Sequence, residues 1–312
     1  MLLARNQLTR TDVQVLADAV SSTRGAKWLL VDQALIDPRN SDRVANTLGW
    51  HSTPVFVRSR LNVFGENGPQ LISIPHLIEP EWGEALQKWV TVDPTGAGLS
   101  IIGTSSSLAE VSDALHYLAL TTVGDDLQLH CRCADARVLS HLLPLLTTTQ
   151  TAGLRRAIDT WWWWDAQGTP CSWALGHAIP PVSSSVAIAA SDHLQLSDAQ
   201  YAEMMDLSEP DIIFTLLMDK TSELVPEADR GDFRTLLERI LQAATRYAVT
   251  QTPDRLQFVV LSLATGESFH QHPGLKAMWQ RIRNQGVSLS REMEMWSDEL
   301  WLDLDHGRRS AQ

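Results

Sequence analysis

Cysteine is scarce in this chain: three residues in 312, Cys131, Cys133 and Cys171. An odd count in a chain of this size argues against a disulfide framework and fits a reducing compartment. Long apolar runs are missing as well. No stretch offers the ~18 consecutive apolar residues that a bilayer span needs, and the opening MLLARNQLTRTDVQVL has no signal-peptide core and carries Asp12 early. Positive charge is short too. Against 37 acidic residues stand 25 basic ones, a formal net charge of −12, which repels phosphate backbones and disfavours nucleic-acid binding. A cytoplasmic protein is expected, with no nucleic acid and no membrane among its partners.

The signatures of common chemistry are also absent. Neither G-x-x-x-x-G-K-[ST] nor G-x-G-x-x-G occurs, which removes the usual nucleotide-binding loops. The GTSSS segment ending at Ser107 resembles a nucleophile elbow only loosely, because G-x-S-x-G is not there. Its serines suit a helix N-cap, with Glu110 placed to complete a capping box with Ser107. Cys131 and Cys133, beside His130, would share one face of a strand. A zinc site needs a second such pair, so buried thiols acting as small hydrophobes are expected. His270 and His272 in FHQHPG read as a turn between helices, and Asp125-Asp126 after Gly124 as a solvated turn. No catalytic residue, metal ligand or cofactor is expected. The rival reading is an unrecognised hydrolase that uses Ser105 to Ser107.

What is present is ordinary globular material, 44% hydrophobic and 20% charged, enough for a real core. Apolar spacing predicts a helix over Thr9–Ser22 with Thr11 as its cap, then strands at KWLLVD (ending at Asp32), PVFVR (from Pro54) and QLISI (from Gln70). A turn-rich FGENGP loop lies between the last two, and a helix is expected over Glu79–Val90. GLSIIGTSSS reads as a strand running into a cap, and Leu108, Val111, Leu115 and Leu118 line the helix after it. LQLHCRC alternates as a strand, Val138–Leu146 is a packed helix, and Ile158–Trp164 is a strand whose tryptophans point to opposite faces. Beyond Pro180-Pro181 the helical periods of 197–205, 212–217, 232–247 and 254–263 predominate, with Pro210, Pro226 and Pro253 at helix starts.

The fold expected is α/β (α+β): an N-terminal mixed-sheet α/β domain over 1–180, a smaller all-helical C-terminal lobe over 181–290, and an acidic, Trp-containing tail over 291–312. Net charge is −4 up to Pro180 and −8 after it, so the acidity lies in the smaller part and suits a basic segment of a partner. Twelve tryptophans are many, and four are consecutive, Trp161, Trp162, Trp163 and Trp164. They belong either to the core or to an interface, where aromatic anchors are common. Trp296 and Trp301 in the tail dock back on their own lobe or lie in a partner's groove.

Several segments, in order, resemble the type VI secretion effector adaptors and chaperones, the domain-of-unknown-function family 4123. They are WLLVDQAL (from Trp28), TPVFV (from Thr53), GPQLISI (from Gly68) and GLSIIGTSSSLAEVSDALHYL (from Gly98). RCADARVLSHLLPLL, from Arg132, is similar to that family's R-x-x-D-P-R-V-L block through Arg132, Asp135, Arg137, Val138 and Leu139, with Gln150 following. Ala136 departs from it, standing where the family usually carries Pro. The resemblance implies a bacterial, cytoplasmic, non-catalytic protein that binds a secreted effector and loads it onto a VgrG-type spike or its PAAR tip. An immunity protein that neutralises a toxin is a further alternative. Within the block, Arg132, Asp135 and Arg137 are expected to fix a strand-to-helix turn by ion pairing, with partner contact as the second role.

Overall fold

Thr9 opens the first helix. Its hydroxyl accepts the Asp12 amide while the Asp12 carboxylate takes the Thr9 amide, a capping box that starts α1 (Arg10–Ser21). The cap is therefore Thr9 and not Thr11, because the Asp12 carboxylate returns to the Thr9 amide and Thr11 already lies inside the helix. The structure, a computed structural model, describes residues 2–56, 60–75, 81–124, 127–174 and 193–309. After α1 come β1 (Ala26–Val31), α2 (Pro38–Leu48), β2 (Ser52–Pro54), a 3-10 turn (Arg60–Asn67), β3 (Gln70–Ile74), α3 (Glu81–Val90) and β4 (Leu99–Thr104). Then follow α4 (Leu108–Ala119), β5 (Leu120–Val123), β6 (Leu127–His130), α5 (Ala136–Leu145), α6 (Thr148–Ala157), β7 (Thr160–Trp164), β8 (Pro170–Ala174) and β9 (Leu194–Leu196). The helical remainder comprises α7 (Asp198–Lys220), α8 (Arg230–Arg246), α9 (Thr252–Thr265), α10 (Lys276–Gln285), α11 (Leu289–Met293) and α12 (Asp298–Arg309). Among the described residues the strands thus lie in the N-terminal part, interleaved with α1 to α6, and the C-terminal part is helical.

Contacts divide the chain into two units, residue 1 with 5–208 and residues 2–4 with 209–312. The boundary expected at 180/181 falls outside the described residues; residues 193–208 belong with the first unit. In that unit a six-stranded sheet runs β2-β3-β1-β4-β7-β8, with every pairing antiparallel. A second sheet, β6-β5-β9, mixes an antiparallel and a parallel pairing.

The large sheet is buried on both faces. Leu29, Val31, Ile72, Ile74, Leu99 and Ile101 pack with residues of α1, α2 and α3. The alternate positions Leu30, Leu71 and Ile102 pack with α4, α5, α6 and the small sheet. The two-residue period of a strand sorts the side chains between these layers. β7 obeys it: Trp161 and Trp163 join the second cluster, Trp162 and Trp164 the first. All four are buried, at 0%, 7%, 4% and 0% relative exposure respectively, so this run is core. Gly103 is the counterpart of that bulk, since a Cβ there would stand 2.8 Å from the Trp162 ring.

The second unit closes around Phe214, Phe233, Leu237, Phe258, Leu275 and Trp279. Part-buried ion pairs brace it. Arg255 takes both oxygens of Glu209, Arg234 joins Asp211 to Glu238, and Arg281 holds the buried Glu292 through Nε at 2.8 Å and Nη2 at 2.5 Å. Four carboxylates, Glu209, Asp211, Glu238 and Glu292, are thus paired inside the unit. Trp296 and Trp301 lie 4.7 Å apart and pack with Leu300 on this core, so the tail docks on its own unit.

Candidate functional site

The block from Arg132 to Arg137 follows β6 and turns into α5. The amide of Asp135 returns to the carbonyl of Arg132 at 2.9 Å, which closes the turn. Asp135 then caps α5, accepting the Arg137 amide at 3.0 Å. Its two oxygens also receive the Arg137 guanidinium, Nε at 3.0 Å and Nη2 at 2.7 Å, a forked pair on a carboxylate with 1% side-chain exposure. Ala136 donates its amide to the carbonyl of Ala97 at 2.8 Å. A proline there would have no N–H to give, so this chain exchanges ring rigidity for a hydrogen bond between segments.

Arg132 reaches elsewhere. Its Nη2 lies 2.7 Å from Asp32 at the end of β1 and 3.7 Å from Asp135. Asp32 is held in turn: its amide donates to the Gly98 carbonyl at 2.9 Å, and its Oδ1 accepts the Ala34 amide at 2.9 Å. The cluster is two carboxylates and two guanidinium groups that pin β1, the turn after β6 and α5 together. Asp32 is the member that sequence reasoning missed as a site residue. Its strand was visible, but its partner lies a hundred positions away.

Beside Arg132 opens a cleft of about 110 Å³, walled by Ala34, Phe56, Gly68, Pro69 and Ala134. Two roomier hollows, about 440 Å³ beside Lys27 and Trp82 and about 520 Å³ beside Glu267 and Asp303, bring none of the motif residues together.

The other candidates for chemistry are occupied by structure. Ser107 caps α4 in a reciprocal pair with Glu110, Ser106 donates to the Arg156 carbonyl at 2.8 Å, and Ser105 leans on Asp159 at 3.4 Å. Cys131 and Cys133 are core residues. Burial pushes the Cys131 thiol up to about 12 and the Cys133 thiol well above its ordinary range. His270 is packed among Tyr247, Phe258, Phe269 and Trp279, whereas His272 Nδ1 accepts the Gly274 amide at 3.2 Å and starts a 3-10 turn. Asp125-Asp126 lies outside the described residues. Among the described residues no group of three or more His, Cys, Asp or Glu could hold a metal, and no helix is long and apolar enough to cross a membrane.

Residues 27–153 match the family described as Domain of unknown function (DUF4123). No curated protein and no solved structure matches the chain.

Proposed function

We propose that this chain is a non-catalytic adaptor that holds a type VI secretion effector in the bacterial cytoplasm and delivers it to a VgrG-type spike or its PAAR tip. One observation carries the reading. The segment that matches the family, 27–153, is the one whose ordered motifs resemble such adaptors, and the ion-pair cluster and every named wall of its cleft fall within it. Ser107 caps a helix and the thiols of Cys131 and Cys133 are core residues, which supports a binding role.

The test is co-expression of the tagged chain with its untagged genomic neighbours, followed by affinity purification and mass spectrometry. An effector and a spike or PAAR protein are expected in the eluate, and deletion of the chain should stop export of that effector while the spike is still secreted. Recovery of neither protein sinks the proposal. Protection of toxin-expressing cells that lack the spike would turn it into an immunity function.

A further inference from the structure

Arg132 and Arg137 use the same side-chain chemistry in different ways. Arg137 spends Nε and Nη2 on both oxygens of Asp135, as a structural arginine should. Arg132 commits only Nη2, and among the described residues Nε and Nη1 carry no hydrogen bond. Its side chain is 36% exposed where it lines the cleft, while the two carboxylates that anchor it are turned inward, at 5% and 1%. A guanidinium has donors and no acceptor. A molecule entering here therefore meets N–H groups held in place from behind, with anions that are already satisfied.

The walls define what accompanies an acceptor. Ala34, Phe56, Pro69 and Ala134 are apolar and stand beside the polar Asn67 and His130, and about 110 Å³ is less than the ~150 Å³ of a cavity that holds benzene. The room suits one small side chain. Carboxylate and side chain must also lie close together. In an extended peptide, neighbouring side chains point to opposite faces, and the next one on the same face is about 6.6 Å further on. A C-terminal aliphatic residue carries both groups on one Cα.

We propose that this cleft is the adaptor's grip on its partner, taking the C-terminal aliphatic residue of the bound protein with its terminal carboxylate accepting from an Arg132 N–H that Asp32 leaves open. The proposal rests on the adaptor reading and adds the chemistry of the partner's end. It is an instance of terminal-carboxylate capture, made by a preorganised arginine.

The probe is N-acetyl-leucine, titrated into the ¹⁵N-labelled full chain while the Arg132 Nε–H resonance is followed. A saturable shift with a dissociation constant on the order of a millimolar is expected, with at least tenfold weaker binding of N-acetyl-leucinamide. Arg132→Lys keeps the charge but has no second nitrogen to offer the cleft once its ammonium pairs with Asp32. Ala34→Leu fills the cleft and leaves the ion pairs alone. Each should weaken binding at least tenfold, and if the first variant is poorly folded the second carries the comparison. No saturable shift, or equal binding of acid and amide, overturns the proposal. Tighter binding of a capped Leu-Ala-Asp amide overturns it in favour of an internal acidic residue. A chain that still recovers its effector while ignoring N-acetyl-leucine loses this site and keeps the adaptor function.

Discussion

The indole nitrogen of Trp161 donates to the hydroxyl of Ser100 at 3.0 Å, inside a sheet where both residues are fully buried. Ser100→Ala should cost about 1–3 kcal/mol, the desolvation cost of an orphaned donor. Trp161→Phe in the same background should recover part of it, because the orphan is then gone. Urea denaturation of the two single variants and the double variant reads this as a coupling energy. Simple additivity would show that the bond contributes nothing.

Arg137→Ala removes the forked partner of a carboxylate that is 1% exposed and leaves it Arg132 at 3.7 Å. A loss of about 2–4 kcal/mol is expected, below the full cost of breaking a buried pair because Arg137 is itself 21% exposed. Arg137→Lys should recover less than half, since an ammonium cannot fork. Thermal denaturation decides: an unchanged Tm with lost partner binding would reassign Arg137 to the interface.

Thiol reactivity follows burial. Cys131 and Cys133 are held protonated by desolvation, while Cys171 is only half-buried and its thiol is raised less. Iodoacetamide at pH 8 should modify Cys171 first, and the other two only in denaturant. Peptide mass spectrometry checks the order.

Burial, helped by Arg246, holds the His270 imidazole below its ordinary pKa. The unfolded chain takes up this proton near pH 6.5, whereas the folded protein resists it to lower pH. The contribution is thus present above the unfolded value and is lost as pH falls through the folded one. Denaturant midpoints should fall between pH 7 and pH 5, and His270→Phe should flatten that fall. His116 and His130, also lowered chiefly by burial, keep the rest of the slope.

Local signals carried much of the fold. Ser107 with Glu110 announces α4, and the alternation of Trp161 to Trp164 places each ring on its proper face, because cap chemistry and strand period act over a few residues. What was missed depends on distant partners or on missing punctuation. β5 begins where α4 ends, with no Gly or Pro between them, and is recognised as a strand only through pairing with β6 and β9. α2, opened by Asp37 and Pro38, gives little periodic signal because its apolar stripe is thin, Val44 and Ala45 with Ser41. The helix expected over Val138–Leu146 is preceded by its true start at Ala136 and followed by a second one, α6, where Thr147 and Gln150 form a capping box. Pro210, expected to open a helix, lies inside the continuous α7, and Pro226 precedes α8 by several residues. PVFVR yields only the end of β2 at Pro54 before a turn, and its remainder lies outside the described residues. The first four residues of FGENGP belong to the 3-10 turn that runs to Asn67. At the site, Arg132, Asp135 and Arg137 were legible as a motif, but the cleft was not, since its walls come from three separated stretches around Ala34, Phe56 and Pro69.

The tryptophan strand has a consequence for how the first unit comes apart. With two large rings embedded in each layer on a single five-residue strand, neither layer can melt without dragging the other's rings into water. β7 acts as a common hinge pin, and a single unfolding transition is expected for the two cores.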